Sequence, residues 1–242
     1  MPTNQFEARL HNVQRFYEIL EGLENSVGGK RTLGRANGHM DWPQRGVYFF
    51  FEPGEERTTS GTGLRVVRVG THALKAGSTA TLWKRLYQHR GTVRGSNPGG
   101  GNHRGSVFRL HVGTALIGRD PNHWPEAVKV GWGIGSSAEK PTREREHPLE
   151  RAVSHHIRSM PFLWLGIDDE PGPESRRGYI ECNAIALLSN YDSHEPIDPP
   201  SAAWLGQWAA SEKVQCSGLW NANHVAETYD PGFLDILLEH IK

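Results

Sequence analysis

The chain has 242 residues, 36% of them hydrophobic and 22% charged, a balance that suits a folded domain and excludes a disordered tail or a membrane span. Lys and Arg number 27 and so do Asp and Glu, so a uniformly basic protein that coats nucleic acid is excluded, but a localised binding face is not. Two cysteines, Cys182 and Cys216, are too few for a disulfide framework and fit a reducing compartment. The opening MPTNQFEARLHNVQRFYEILEG has no apolar core of the signal-peptide kind, and no run approaches the roughly 20 apolar residues of a bilayer span. A soluble cytoplasmic protein is the expectation.

The zero sum hides a segregation of charge. Residues 57–119 carry 11 Lys or Arg and no Asp or Glu, whereas the rest of the chain has 16 basic and 27 acidic residues. His72, His89, His103 and His111 lie in the same stretch. Such a segment suits a polyanion, since each phosphate contact releases condensed counterions. The competing reading is that distant carboxylates fold back and neutralise it.

Leu10, Val13, Tyr17 and Leu20, flanked by Phe6 and Phe16, recur at helical spacing and predict an amphipathic helix near residues 5–23, with the Tyr17 hydroxyl at its rim. GVYFFFE (46–52) reads as a buried aromatic strand and LRVVRVG (64–70) as a second, and the glycine-containing loop between them predicts a hairpin. GSTATLWKRLYQHRG predicts a helix capped by Ser78 or Thr79 and ended by Gly91, with Arg85 and His89 on one side. VRGSNPGGGNHRG is loop by composition. VFRLHVG (107–113) alternates like a strand, and VKVGWGI (128–134) predicts a further one. HPLERAVSHHIRSM predicts a helix with Pro148 in its first turn. FLWLGID then reads as a strand, and YIECNAIALLSNY as a helix with Ile180, Ala184, Leu187 and Leu188 facing inward. A Pro-rich corner, a short Trp204 segment and a last helix begun by Asp230 and Pro231 complete the chain, with no internal repeat.

The ordered set of segments resembles the GIY-YIG nuclease superfamily. GVY at 46–48 matches the first signature segment, and RVG at 68–70 stands at the second, with Arg68 in place of its usual tyrosine. LWKRLYQH is similar to the family's arginine-bearing helix, with a histidine that restriction-type members add, and RGYIECNAIALLSN to the helix that supplies its metal-binding glutamate. The resemblance spans roughly residues 46–190. It implies an α+β fold, with a small central three-stranded antiparallel-type sheet flanked by helices. The expected division is a lead-in helix over 1–45, a core over 46–190 with an insertion at about 92–143, and a C-terminal helical extension over 191–242 packed on the core.

The resemblance also implies a chemistry, metal-dependent hydrolysis of phosphodiester bonds in double-stranded DNA. Such hydrolysis needs an activated water, charge stabilisation on the phosphate and help for the leaving oxygen. Tyr48 would orient or deprotonate the water. An ordinary phenol, with a pKa of about 10, is a poor base at pH 7, so the role needs Arg68, Arg85 or the metal nearby. The other reading of Tyr48 is a core tyrosine. Arg85 would clamp the phosphate through its planar fork, and His89, one turn later, would share that phosphate or assist proton transfer unless it merely ends its helix. Glu181 would ligate Mg2+ or Mn2+, completed by waters and phosphate oxygens, or else cap its helix, and Glu150 is its rival. Asn190 loosely matches an asparagine that follows the family's glutamate and equally suits a helix end.

No Cys or His spacing suggests a zinc site and no segment forms a phosphate loop, so no organic cofactor is expected. A restriction or genome-defence endonuclease is the leading expectation, with a second copy of the chain as a candidate partner. The rivals are a non-catalytic DNA-binding module that keeps the fold, favoured by Arg68, and a metabolic enzyme that acts on a phosphorylated small molecule.

Overall fold

The computed structural model describes residues 3–95 and 97–241. The chain runs through α1 (Thr3–Val27), β1 (Arg31–Thr32), β2 (Gly46–Glu56), β3 (Leu64–Gly70) and α2 (Leu82–Arg90). It continues through α3 (Val107–Arg119), α4 (Glu126–Gly131), α5 (Lys140–Ser159), β4 (Pro161–Gly166), α6 (Arg176–Leu188), α7 (Glu212–Ser217) and α8 (Phe233–Glu239). The sheet order is β1-β4-β2-β3, with every neighbouring pair antiparallel. Four strands stand where three were expected. The extra strand, β1, pairs only Arg31 and Thr32 with the start of β4, and two residues carry no readable periodicity.

Helices cover both faces of the sheet, so β2 reads as a continuous apolar run instead of an alternation. The alternation persists in where its side chains go. Val47, Phe49 and Phe51 pack on Phe16, Tyr17, Ile180 and Phe233 from α1, α6 and α8. Tyr48 and Phe50 turn the other way, onto Leu86, Phe108, Val112, Leu149 and Val153 from α2, α3 and α5. Tyr48 thereby enters the layer that holds the arginine-bearing helix.

A register shift between Phe50/Arg68 and Phe51/Val66 puts a bulge at Val67. The bulge releases two backbone groups. Trp220 N–H donates to Val67 O at 2.7 Å, and Val66 N–H donates to the Tyr17 hydroxyl at 3.0 Å. Tyr17 is therefore buried at a partner inside the core, not at the helix rim, and burial raises its pKa.

Residues 107–113 lie in α3, and of 128–134 the first four close α4 while 132–134 form a turn, which corrects the strand expectation for both. In α3, Phe108, Val112, Ala115 and Leu116 fall on one helical face and are buried, and the Ser106 hydroxyl accepts Arg109 N–H as the cap. In α4 and its exit, Val128 and Trp132 are buried one turn apart while Val130 and Ile134 are exposed. α5 begins at Lys140, so Pro148 lies in its interior and Pro141 occupies the first turn. α2 is capped by Thr81, whose hydroxyl accepts Lys84 N–H at 3.2 Å, instead of Ser78 or Thr79. The expected glycine, Gly91, ends it at φ 73°.

Candidate functional site

Two glycines shape the site. Tyr48 stands directly opposite Gly70 across the β2–β3 pair. A Cβ at Gly70 would lie 2.4 Å from the Tyr48 phenol oxygen, so any side chain there would displace the ring. A Cβ at Gly46 would lie 2.3 Å from Leu165 O, so β4 could not approach.

The Tyr48 hydroxyl is 2.7 Å from His89 Nε2, and His89 Nδ1 is 2.8 Å from Ser106 Oγ. This chain links β2, α2 and the cap of α3. His89 has no exposed surface; burial, and then the charges of Arg85, Arg68 and Arg109, hold its pKa well below 6.5, so the ring is neutral. Tyr48 is also wholly enclosed. Arg68 lies beside it, donating to Trp220 O at 2.6 Å with its guanidinium over the Phe108 ring. Burial lowers the Arg68 pKa, and the Tyr48 phenol and the Glu181 carboxylate oppose that shift.

Glu181 reaches the cluster from the first turns of α6. Its Oε1 accepts Thr71 N–H at 3.0 Å, and the Thr71 hydroxyl donates to Gly46 O at 2.8 Å, so the end of β3 sets the carboxylate. The side chain is half-buried, and desolvation raises its pKa against the pull of Thr71 N–H, Arg68 and Arg85. Among the described residues, its other oxygen makes no hydrogen bond. Arg85, also half-buried, donates to Gln88 Oε1 at 3.0 Å and to Gly105 O at 3.3 Å.

Tyr48, Arg68, Arg85, His89 and Glu181 thus form one neighbourhood, in which each of the two arginines feels Glu181 or His89 electrostatically. Asn190 stands apart, two residues past the end of α6. Its side chain accepts from Arg9 and from Ile197 N–H and donates to Ile197 O, which ties the 190–197 turn to α1. Glu150 is fully engaged elsewhere, by His103 and by the buried Arg109 guanidinium.

Two participants escaped the sequence reading. Ser106 sits just before an apolar run, a helix-cap signal that the strand reading of 107–113 masked. Thr71 directly follows the second signature glycine.

The acid-free segment is partly neutralised. Glu21, Glu55, Glu146 and Glu150 pair with Arg57, Arg65, Arg104 and Arg109. Lys75, Lys84, Arg85, Arg90, Arg94 and Arg119 have no carboxylate partner among the described residues and keep some surface. No group of three or more His, Cys, Asp or Glu able to hold a metal occurs among the described residues, and no helix there is long and apolar enough to cross a membrane.

No curated protein and no solved structure matches the chain. The sequence model of the GIY-YIG domain matches residues 7–242, a span that reaches well past residues 46–190 at both ends. The signature glycines, the tyrosine, the arginine-bearing helix and the glutamate helix lie inside that match, and the chain belongs to the GIY-YIG domain family.

Proposed function

We propose that the protein is a divalent-metal-dependent endonuclease that hydrolyses phosphodiester bonds in double-stranded DNA, in a restriction or genome-defence role. The observation that carries this reading is Glu181. Its half-buried carboxylate has one oxygen fixed by Thr71 N–H and the other unused, and it feels the charges of Arg68 and Arg85, the first of which lies beside Tyr48. That donor set fits Mg2+ or Mn2+, which accept a single carboxylate completed by waters and phosphate oxygens. Desolvation already disfavours the anion, and a dication would relieve that penalty. When bound there, the metal would supply Lewis-acid stabilisation of the phosphate.

The remaining roles belong to side chains. Arg85 offers its fork to the scissile phosphate from the exposed edge of α2. Tyr48 takes the water-orienting role once bound DNA opens a path to its enclosed hydroxyl, which lies 2.7 Å from the neutral His89 imidazole. Arg68, where the family has tyrosine, brings a fixed positive charge to the phenol.

A second reading, a DNA-binding module without catalysis, is favoured by one observation: Tyr48 has no exposed surface beside Arg68. A cleavage assay with Mg2+ or Mn2+, run beside binding measurements in chelator, separates the two. Glu181→Ala is expected to lose cleavage by at least about a hundredfold with DNA affinity retained, whereas Arg85→Ala weakens both. Affinity is expected to fall with salt at a log–log slope of about −3 to −5, set by the surface cations without carboxylate partners. Unchanged cleavage by folded Glu181→Ala removes the metal-ligand role. Tight binding by the parent with no cleavage of any DNA under either metal establishes the module.

A further inference from the structure

Beside Arg85 lies a cavity of about 340 Å3 that none of these roles uses, in the size range of small-molecule sites. Its walls come from α2 (Tyr87, Gln88), α5 (Arg143, His147, Glu150) and the glycine-rich loop through Asn102 and Gly105. Arg85 hydrogen-bonds to two of these wall residues, Gln88 and Gly105, so the cavity begins one residue from the proposed phosphate clamp.

The floor is rigid. Arg109 and Glu150 form a buried ion pair beneath the loop, and a Cβ at Gly101 would lie 2.2 Å from the Arg109 guanidinium. Gly91, at φ 73°, would put a Cβ 2.3 Å from Gly100 O. The loop therefore rests directly on the ion pair, which only glycine permits. Glu150 is the sole acid on the walls, and His103 and Arg109 take up its oxygens, so the cavity carries the positive character of Arg143 and its surroundings.

Two amides on the walls keep donors free. Gln88 Oε1 accepts from Arg85 and Asn102 Oδ1 accepts Arg104 N–H, which orients both amide NH2 groups away from those bonds. The Arg143 guanidinium is exposed and makes no hydrogen bond among the described residues. Tyr87 adds an exposed aromatic ring at the rim. Donors require acceptors, and an exposed ring next to a positive pocket is how proteins hold an unstacked base.

Resting on the nuclease reading above, we infer that this cavity receives one unpaired nucleotide of the DNA strand whose phosphate lies at Arg85. Guanine, which presents the adjacent acceptors O6 and N7 to two donors, is preferred over adenine, whose N6 amino group replaces one of them. The substrate class is then duplex DNA interrupted by an unpaired nucleotide, or able to release one.

The test uses the full chain in chelator with labelled duplexes, either fully paired or carrying a single bulged G or A. Bulged G is expected to bind about tenfold more tightly than the paired duplex and than bulged A. Gly105→Phe sets a ring on the cavity wall, where a Cβ meets no heavy atom within 4 Å, keeps the backbone carbonyl that accepts from Arg85, and is expected to abolish that preference while paired-duplex affinity stays unchanged. Equal affinity for all duplexes, or a preference that survives in folded Gly105→Phe, overturns the inference. Calorimetric titration with dGMP and dAMP separates this failure from that of the nuclease reading. Binding of dGMP over dAMP in a chain that cuts no DNA keeps the pocket and removes the nuclease. Cleavage of DNA with no bulge preference and no dGMP binding does the reverse.

Discussion

At the scale of single residues, the site trades stability for charge placement. Glu181 lies among arginines, yet desolvation outweighs their attraction and its carboxyl titrates above the ordinary range. A carboxylate whose pKa rises on folding binds a proton more readily in the folded state, so its ionisation lowers stability once the pH passes the unfolded value of about 4.5. Glu181→Gln removes that charge and keeps an oxygen for Thr71 N–H. The variant is expected to melt higher than the parent at pH 7.5 and at the same temperature at pH 4, where Glu181 is already neutral. Under the nuclease reading it also loses cleavage by about a hundredfold or more. Paired melting curves at the two pH values check the first claim, and a lower melting temperature at pH 7.5 would contradict it. This opposition of stability and activity is common where a group serves chemistry instead of packing.

At the scale of elements, β2 and β3 hold the geometry, and the reason is steric. Gly70→Ala sets a methyl group 2.4 Å from the Tyr48 oxygen inside a packed layer and is expected to cost about 1–3 kcal/mol. It also pushes the phenol off His89 Nε2, so the chemical-shift signature of the His89 ring should change together with stability. Denaturant titration and side-chain NMR of His89 read the two effects, and an unperturbed His89 in the variant would separate them. These strands were legible in the sequence because a buried β2 with Gly46 and Tyr48, then Gly70, is a local pattern. So were α1, α6 and the hairpin. The helices of residues 107–131 were not, because seven residues of alternating apolar character fit a strand as well as the start of a longer helix. The face made by Phe108, Val112, Ala115 and Leu116 becomes evident only against Phe50 and Trp220 in the folded layer. Asn190 shows the converse. Its position after Glu181 matched a family pattern, but the turn it closes with Ile197 is tied to Arg9, 181 residues away in sequence.

At the scale of the whole molecule, the segregated basic segment leaves a mark on acid stability. Burial, followed by the Arg177 charge, lowers the His72 pKa to about 4, and burial with Arg68 lowers His111 to about 4. His89 titrates well below 6.5 for the same two kinds of reason. Burial, reinforced by neighbouring arginines, therefore keeps the three imidazoles neutral. For a histidine whose folded pKa lies below its unfolded value of about 6.5, the unfolded chain binds more protons between the two values. Stability is thus full above about pH 6.5 and falls as the pH drops toward 4, by at most about 1.4 kcal/mol per pH unit for each histidine. Carboxylates add a second, lower phase. Burial pushes Glu52 and Glu150 upward, but hydrogen bonds from His156, Trp220 and Trp204 in one case, and from His103 and Arg109 in the other, bring both below the ordinary range. Their contribution is present above about pH 4.5 and is lost as the pH falls through the folded values. Denaturant titrations from pH 8 to pH 4.5 are expected to show a plateau above pH 7 and a decline that begins near 6.5. His111→Leu should reduce the slope of that decline by about one proton, because the variant retains the apolar surroundings and removes the titrating ring. A parent whose stability stays level down to pH 5 would show that the three imidazoles are not buried in their neutral form, and the packing of α2 and α3 against the sheet would then have to differ.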